Sequence, residues 1–281
     1  MSVKLNLFAA GHCQNIEAIA LRGGALRCCQ FPALCGVIHH PRYGIILYDT
    51  GYTSHFFTAT QRYPHKLYAK LTPVSLAPEQ SLKAQLAAKG IAADEVRLIL
   101  ISHFHADHIA GLRDFPKAKL LCSAKAYQKI SGLSGLRGLL HGFLPTLLPE
   151  DFRARLQFAE QLSPLLLPAE YQPFKLGFDL FGDQSIILVE LPGHAHGQLG
   201  ALVREQTGRE SFLVADACWY SHSYRQNVLP GRLSFLVHAN FNHYKQTLAG
   251  LHSLAQHNPG LRIIPSHCQE IWQSLVEFNH E

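Results

Sequence analysis

The chain has 281 residues, 47% hydrophobic and 16% charged, which is enough to bury a substantial core. The formal charge of +5 comes from basic residues that stand singly, without Lys/Arg runs or interleaved aromatics, so no nucleic-acid partner is expected; no apolar run approaches the ~20 residues of a membrane helix either. Seven cysteines with no Cys-x-x-Cys pair, and an N-terminus without a basic stretch leading into an apolar core, predict free thiols in a cytoplasmic protein.

In chain order, Val3 to Ala9 reads as an opening strand that Gly11-His12-Cys13 ends. The segments Ala33 to His39 and Tyr43 to Asp49 form a hairpin through His40-Pro41-Arg42, and Asp49-Thr50-Gly51 closes it. Tyr52 to Leu76 is aromatic and irregular, either walling a cleft or packing on itself. Pro78 to Lys89 is expected to be a helix, with proline at its start and Gly90 past its end.

Val96 to Ile101 is an apolar strand that feeds Ser102-His103-Phe104-His105-Ala106-Asp107-His108, four metal-type ligands within six positions. Alternate side chains of an extended segment point the same way, so His103 and His105 can reach one metal. A helical turn starting near Asp107 would carry Asp107 and His108 towards a second. Imidazole and carboxylate suit zinc and neighbouring first-row metals.

Ala118 to Cys122 is a further strand, and Ala124 to Ser163 reads as a helical insertion. Within it, Ser131 to Pro149 spaces leucines with glycines, a poor regular helix, and reads as an apolar lid. Such a lid suits an acyl or aromatic substrate group, or the contact of a homodimer. Phe174 to Phe181 and Ser185 to Leu191 are strands of a second sheet, followed by His194 and by His196, a loop residue. Leu199 to Val203 and Phe212 to Ala215 form a hairpin that delivers Asp216. Asn240 to His257 has helical spacing, Leu261 to Ile264 is a strand before His267, and Glu270 to Phe278 is a closing helix. Strands followed by helix and strand in each half fit one domain over 1–281, a doubled unit with two face-to-face sheets and helices outside.

His103-x-His105-x-Asp107-His108, followed in order by His194, Asp216 and His267, resembles the signature of the metallo-β-lactamase superfamily. The resemblance implies an α/β, four-layer αββα sandwich of two mixed sheets, and two divalent metal ions, zinc first, with iron or manganese as alternatives. It implies that His103, His105 and His194 hold one ion, that Asp107, His108 and His267 hold the other, and that Asp216 bridges them. It also puts Asp49 beneath the metals as an orienting acceptor. The implied reaction uses a hydroxide shared by the metals, with Asp107 and Asp216 in the catalytic set, to open a small lactone or ester.

The stretches Phe8 to Cys13, Asp49 to Gly51 and Asp216 to Tyr220 are most similar to the N-acyl-homoserine lactonase branch. Those lactonases carry a tyrosine three residues after the bridging aspartate, where this chain has Trp219, so Tyr220 is the candidate substrate-holding phenol. The partner is then a small-molecule substrate, without nucleic acid or membrane. Thioester or phosphodiester hydrolysis at the same site, or metal binding without catalysis, are the competing expectations.

Overall fold

The structure, a computed structural model, describes residues 2–278. Its first sheet holds β1 (Lys4–Ile16), β2 (Cys28–His40), β3 (Gly44–Tyr48), β4 (Val74–Ser75), β5 (Val96–Leu100), β6 (Lys119–Cys122) and β7 (Leu156–Phe158). Its second holds β8 (Ser163–Leu166), β9 (Leu176–Asp179), β10 (Ile186–Glu190), β11 (Leu199–Arg204), β12 (Glu210–Ala215) and β13 (Arg262–Pro265). The spatial orders are β4-β1-β2-β3-β5-β6-β7 and β13-β12-β11-β10-β9-β8. Both sheets are mixed: β3, β5, β6 and β7 run parallel, as do β12 and β13, and the other neighbours are antiparallel.

The layering follows from side-chain alternation. In β3, Ile46 and Tyr48 face the middle of the sandwich while Ile45 and Leu47 face the helices outside. In β10, Ile186 and Leu188 join the same middle layer while Ile187 and Val189 pack outwards. Strands apolar on both faces are what a sheet covered on both sides requires. Leu82, Leu86 and Ile109 cover the first sheet, and Leu248, Leu251 and Leu254 of the helix Phe241–His257 cover the second. The architecture is therefore the expected four-layer αββα sandwich.

Several elements differ from their sequence reading. β1 does not stop at Gly11-His12-Cys13; it continues to Ile16 through a bulge between Ala9 and His12, with Gly11 at φ +74°. A bulge lets a long strand bend without ending. Tyr52 to Leu76 is not irregular but carries the short helices Ser54–Ala59 and Lys66–Leu71, the first capped by the Thr53 side chain. The Pro78 segment is a 3-10 turn, after which Ser81 caps a separate helix, Leu82–Ala88.

The 124–163 segment holds the helices Ala124–Ile130, Gly135–Leu140 and Phe152–Arg155, but it ends in strand β7 on the free edge of β6. Leu156-Gln157-Phe158 has the period of a strand, and the exposed edge supplies its partner.

Candidate metal centre

The loops that follow β3, β5, β10, β12 and β13 converge at one edge of the sandwich, and they carry the residues singled out in the sequence. Donor atoms of His103, His105, His194 and Asp216 all lie within 4.8 Å of one another, and so do those of Asp107, His108 and His267. Asp216 reaches both groups, with Oδ2 3.2 Å from His194 Nε2 and 3.2 Å from His267 Nε2, and Oδ1 3.3 Å from His108 Nε2.

The local chain path explains this convergence. After β5 the backbone stays extended to His105 and then turns into the short helix Ala106–Ile109. The 49–53 loop is laced to that turn: Thr50 N and Oγ1 both donate to the His108 carbonyl at 2.9 Å, and Thr53 Oγ1 donates to Ala110 O at 2.8 Å. A Cβ at Gly111 would come 2.9 Å from Thr50 Cβ, so only glycine lets the two loops lie this close. Asp49 at φ +60° and Ala215 at φ +47° are left-handed non-glycine residues beside the cluster. Such backbone is costly and persists where the surrounding packing enforces it.

The hydrogen bonds behind the cluster fix which ring nitrogen of each histidine faces inwards. Asp49 Oδ1 accepts from Ser102 N at 2.8 Å, and Oδ2 accepts from Ser102 Oγ at 2.7 Å and from His108 Nδ1 at 2.8 Å. Since Ser102 Oγ donates to Asp49, it accepts from His103 Nδ1 at 3.0 Å. His267 Nδ1 donates to the Pro32 carbonyl at 2.7 Å. Each outer nitrogen thus carries a hydrogen, and it is Nε2 of His103, His108 and His267 that faces the cluster. His105 turns Nδ1 inwards instead, 2.9 Å from His194 Nε2.

Trp219 Nε1 donates to Asp216 Oδ2 at 2.9 Å, and an indole can only donate, so this oxygen is held as an acceptor.

The buried atoms His103 Nε2, His108 Nε2 and Asp216 Oδ1 have no hydrogen-bond partner among the described residues. Buried polar atoms are rarely left so, and unpartnered ligand-type atoms in both groups fit cation coordination. Five imidazoles, two carboxylates and no thiolate form a donor set suited to divalent first-row metals.

Electrostatics divide the cluster. Burial holds His103 and His194 well below the ordinary imidazole value, with neighbouring histidines adding to the effect. Burial also opposes charge on His108 and His267, yet both lie well above that value because the surrounding carboxylates outweigh it: Asp107, Asp49 and Asp216 for His108, and Asp216 and Asp107 for His267. Asp216 lies well below the carboxylate range, since His267, His194 and His108 overcome the cost of its burial.

Tyr220 does not join this group. Its hydroxyl lies 3.5 Å from Cys29 Sγ and its ring stacks on Phe31 at 5.6 Å, so the phenol is turned to β2. All seven cysteines are free; Cys268 meets Ser221, and Cys218 is buried.

Sequence reasoning missed His238, whose Nδ1 lies 3.1 Å from His194 Nδ1. Burial pushes its pKa down to about 4. It is a lone histidine outside any motif, and only the chain path places it here.

A cavity of about 240 Å³ opens on the His105 and His194 side, lined also by Phe104, Ile130, Leu140 and His238, with Lys129, His141 and His196 beside them. Gly142 is pressed on the His105 ring, so the glycine-spaced segment sits directly over the cluster. A larger cavity of about 390 Å³, among Arg62, His65 and Arg113, lies apart from the cluster residues.

Fold and site together define a metallo-hydrolase. The family model described as the metallo-beta-lactamase superfamily matches residues 30–209, and the chain belongs to that superfamily. Among curated proteins it is 25% identical, over 70% of its length and 67% of the relative's, to the N-acyl homoserine lactonase AttM of Azorhizobium caulinodans. It is 24% identical, over 83% of its length and 78% of the relative's, to the N-acyl homoserine lactonase AiiB of Agrobacterium fabrum. A solved N-acyl homoserine lactone hydrolase, with the product N-hexanoyl-L-homoserine at its catalytic metal centre, shares the fold at a TM-score of 0.72. That comparison covers 98% of this chain and 97% of the other at 17% identity. No helix among the described residues is long and apolar enough to cross a membrane.

Proposed function

We propose that the chain acts as one domain and hydrolyses a small lactone or ester with two divalent metal ions, zinc before iron or manganese, held by the seven clustered side chains. The observation that carries this reading is the gathering of seven ligand-type side chains in two groups with Asp216 reaching both. Three of their buried atoms, His103 Nε2, His108 Nε2 and Asp216 Oδ1, have no hydrogen-bond partner among the described residues. In this reading His103, His105 and His194 hold one ion, Asp107, His108 and His267 the other, and Asp216 both. A cation pair would supply Lewis acidity and bring the pKa of water near ~7.

The remaining work falls to the chain. Asp49 sets the His108 ring directly and the His103 ring through Ser102, while the Pro32 carbonyl sets His267. Trp219 holds the shared carboxylate. Phe104, Ile130 and Leu140 offer apolar surface to the acyl part of a substrate, and the segment 131–149 covers it as a lid. The names of the curated relatives support an acylated lactone as the substrate class.

The test is an assay of the purified, metal-loaded protein on lactones, simple esters, thioesters and phosphodiesters beside an Asp216→Asn variant. Lactone or ester turnover should exceed that of the variant by more than about 100-fold, since even supports outside the ligand shell are worth 10–100-fold. Lactone and ester turnover no higher than the variant's would overturn the reading. Two bound ions without any turnover would leave a metal-binding protein.

A further inference from the structure

His238 is held against the cluster by the backbone on both sides of it. Ala239 N donates to His194 O and Asn240 N to Gly193 O, each at 2.9 Å. Gly193, at φ +135°, permits this approach, because a Cβ there would sit 2.2 Å from Tyr244 N. The His238 ring stacks on Trp219 at 5.5 Å and packs on Tyr244 at 4.1 Å, and the residue is 9% exposed. Its Nδ1 faces His194 Nδ1, its Nε2 is buried and has no hydrogen-bond partner among the described residues, and His238 is among the residues around the 240 Å³ cavity.

One hydrogen must lie between two Nδ1 atoms 3.1 Å apart. His194 Nε2 points into the cluster, towards His105 Nδ1 and Asp216 Oδ2. With that nitrogen used as a ligand, the His194 hydrogen sits on Nδ1 and is donated to His238 Nδ1. A neutral imidazole that accepts at Nδ1 carries its own hydrogen on Nε2. His238 therefore presents a buried N–H donor, without needing a charge.

Nearby donors are engaged elsewhere: Trp219 Nε1 on Asp216, and the Tyr220 hydroxyl beside Cys29. Lys129, His141 and His196 also line the cavity but are exposed, where water can satisfy them.

We propose that His238 Nε2–H is a substrate-binding donor of this site, hydrogen-bonding the acyl carbonyl oxygen of the lactone or ester and the carboxylate formed from it. The choice of ligand rests on the hydrolase reading; the donor itself rests on the geometry. Metal ligation by His194 thereby sets the substrate contact through one intervening ring.

Hexanoate, a plain carboxylate, serves as the probe on the metal-loaded protein, with His238→Asn and His238→Gln. Asparagine keeps an oxygen to accept from His194 Nδ1 but does not reach the cavity, whereas glutamine carries an amide N–H about as far as Nε2. The Asn variant should still bind two ions while its hexanoate Kd and substrate KM rise about tenfold, equivalent to about 1.4 kcal/mol, with kcat less affected. The Gln variant should recover part of the loss. A hexanoate Kd within twofold of the parent in an Asn variant that holds two ions would overturn the assignment.

If the Asn variant fails to fold, the parent decides. Long-range proton–nitrogen spectra should show His238 as the Nε2–H tautomer, with that nitrogen shifting when hexanoate is added. The opposite tautomer, or no shift, overturns the proposal. Hexanoate binding through His238 in a protein that turns over no lactone or ester would leave the donor standing and remove the hydrolase reading.

Discussion

The two halves of the cluster are built differently. His103, His105, Asp107 and His108 come from one continuous turn after β5, braced by a single neighbouring loop through Asp49, Thr50 and Thr53. His194, Asp216 and His267 come from three loops of the other sheet, and each leans on a different support: His238, Trp219 and the Pro32 carbonyl. The first half is a local arrangement that one hydrogen-bonded carboxylate can set. The second exists only because β10, β12 and β13 end at the same edge, so its geometry depends on the whole sandwich.

Removing the group shared by the two halves should cost most. In Asp216→Asn the carboxylate charge that His267, His194 and His108 converge on is lost, and both metal occupancy and turnover should fall by more than about 100-fold. Titration of bound metal alongside the rate checks whether the two losses go together.

Asp49→Asn strikes the support of the first half. An amide nitrogen cannot accept from His108 Nδ1, so metal affinity or activity should drop about 10–100-fold, read by competition with a chelator. A smaller loss than for Trp219→Phe would reverse the contrast between the halves.

Trp219→Phe keeps an aromatic ring but removes the donor to Asp216 Oδ2. A hydrogen bond to a charged group is worth about 1.5–3 kcal/mol, so a loss of roughly tenfold or more in kcat/KM is expected.

Gly142→Ala tests the covering segment rather than either half. Its φ of +63° disfavours alanine, and the added Cβ would meet His105 Cδ2 at 2.5 Å. Thermal unfolding should show a loss of about 1–2 kcal/mol, with KM raised.

The same contrast governs what the sequence made legible. The turn from His103 to His108 announces itself because its ligands are close in sequence and alternate as an extended strand demands. His194, Asp216 and His267 were readable only through resemblance to a known pattern, since no local periodicity links them. Layering was legible in the order of strands, helix and strand in each half, and strands apolar on both faces, such as Ile186 to Val189, are how the structure realises it.

Other features had no local signal. The Pro32 carbonyl is a backbone group, so residue type says nothing of its bond to His267. His238 stands alone before the helix Phe241–His257, placed by backbone bonds to Gly193 and His194. The resemblance points to Tyr220 as the phenol one place after the lactonases' tyrosine, but at the mouth of the helix Ser221–Gln226 the chain turns it towards Cys29 while Trp219 takes the inward position. β7 was hidden because a three-residue strand depends on the edge that receives it.

The central claim is that seven side chains from the two sheets hold a pair of cations. Anomalous diffraction at the zinc edge, from crystals grown with zinc, tests it directly. The account predicts two peaks, one among His103, His105 and His194 and one among Asp107, His108 and His267, with Asp216 touching both. A single peak, or two peaks without Asp216 in contact, would contradict it.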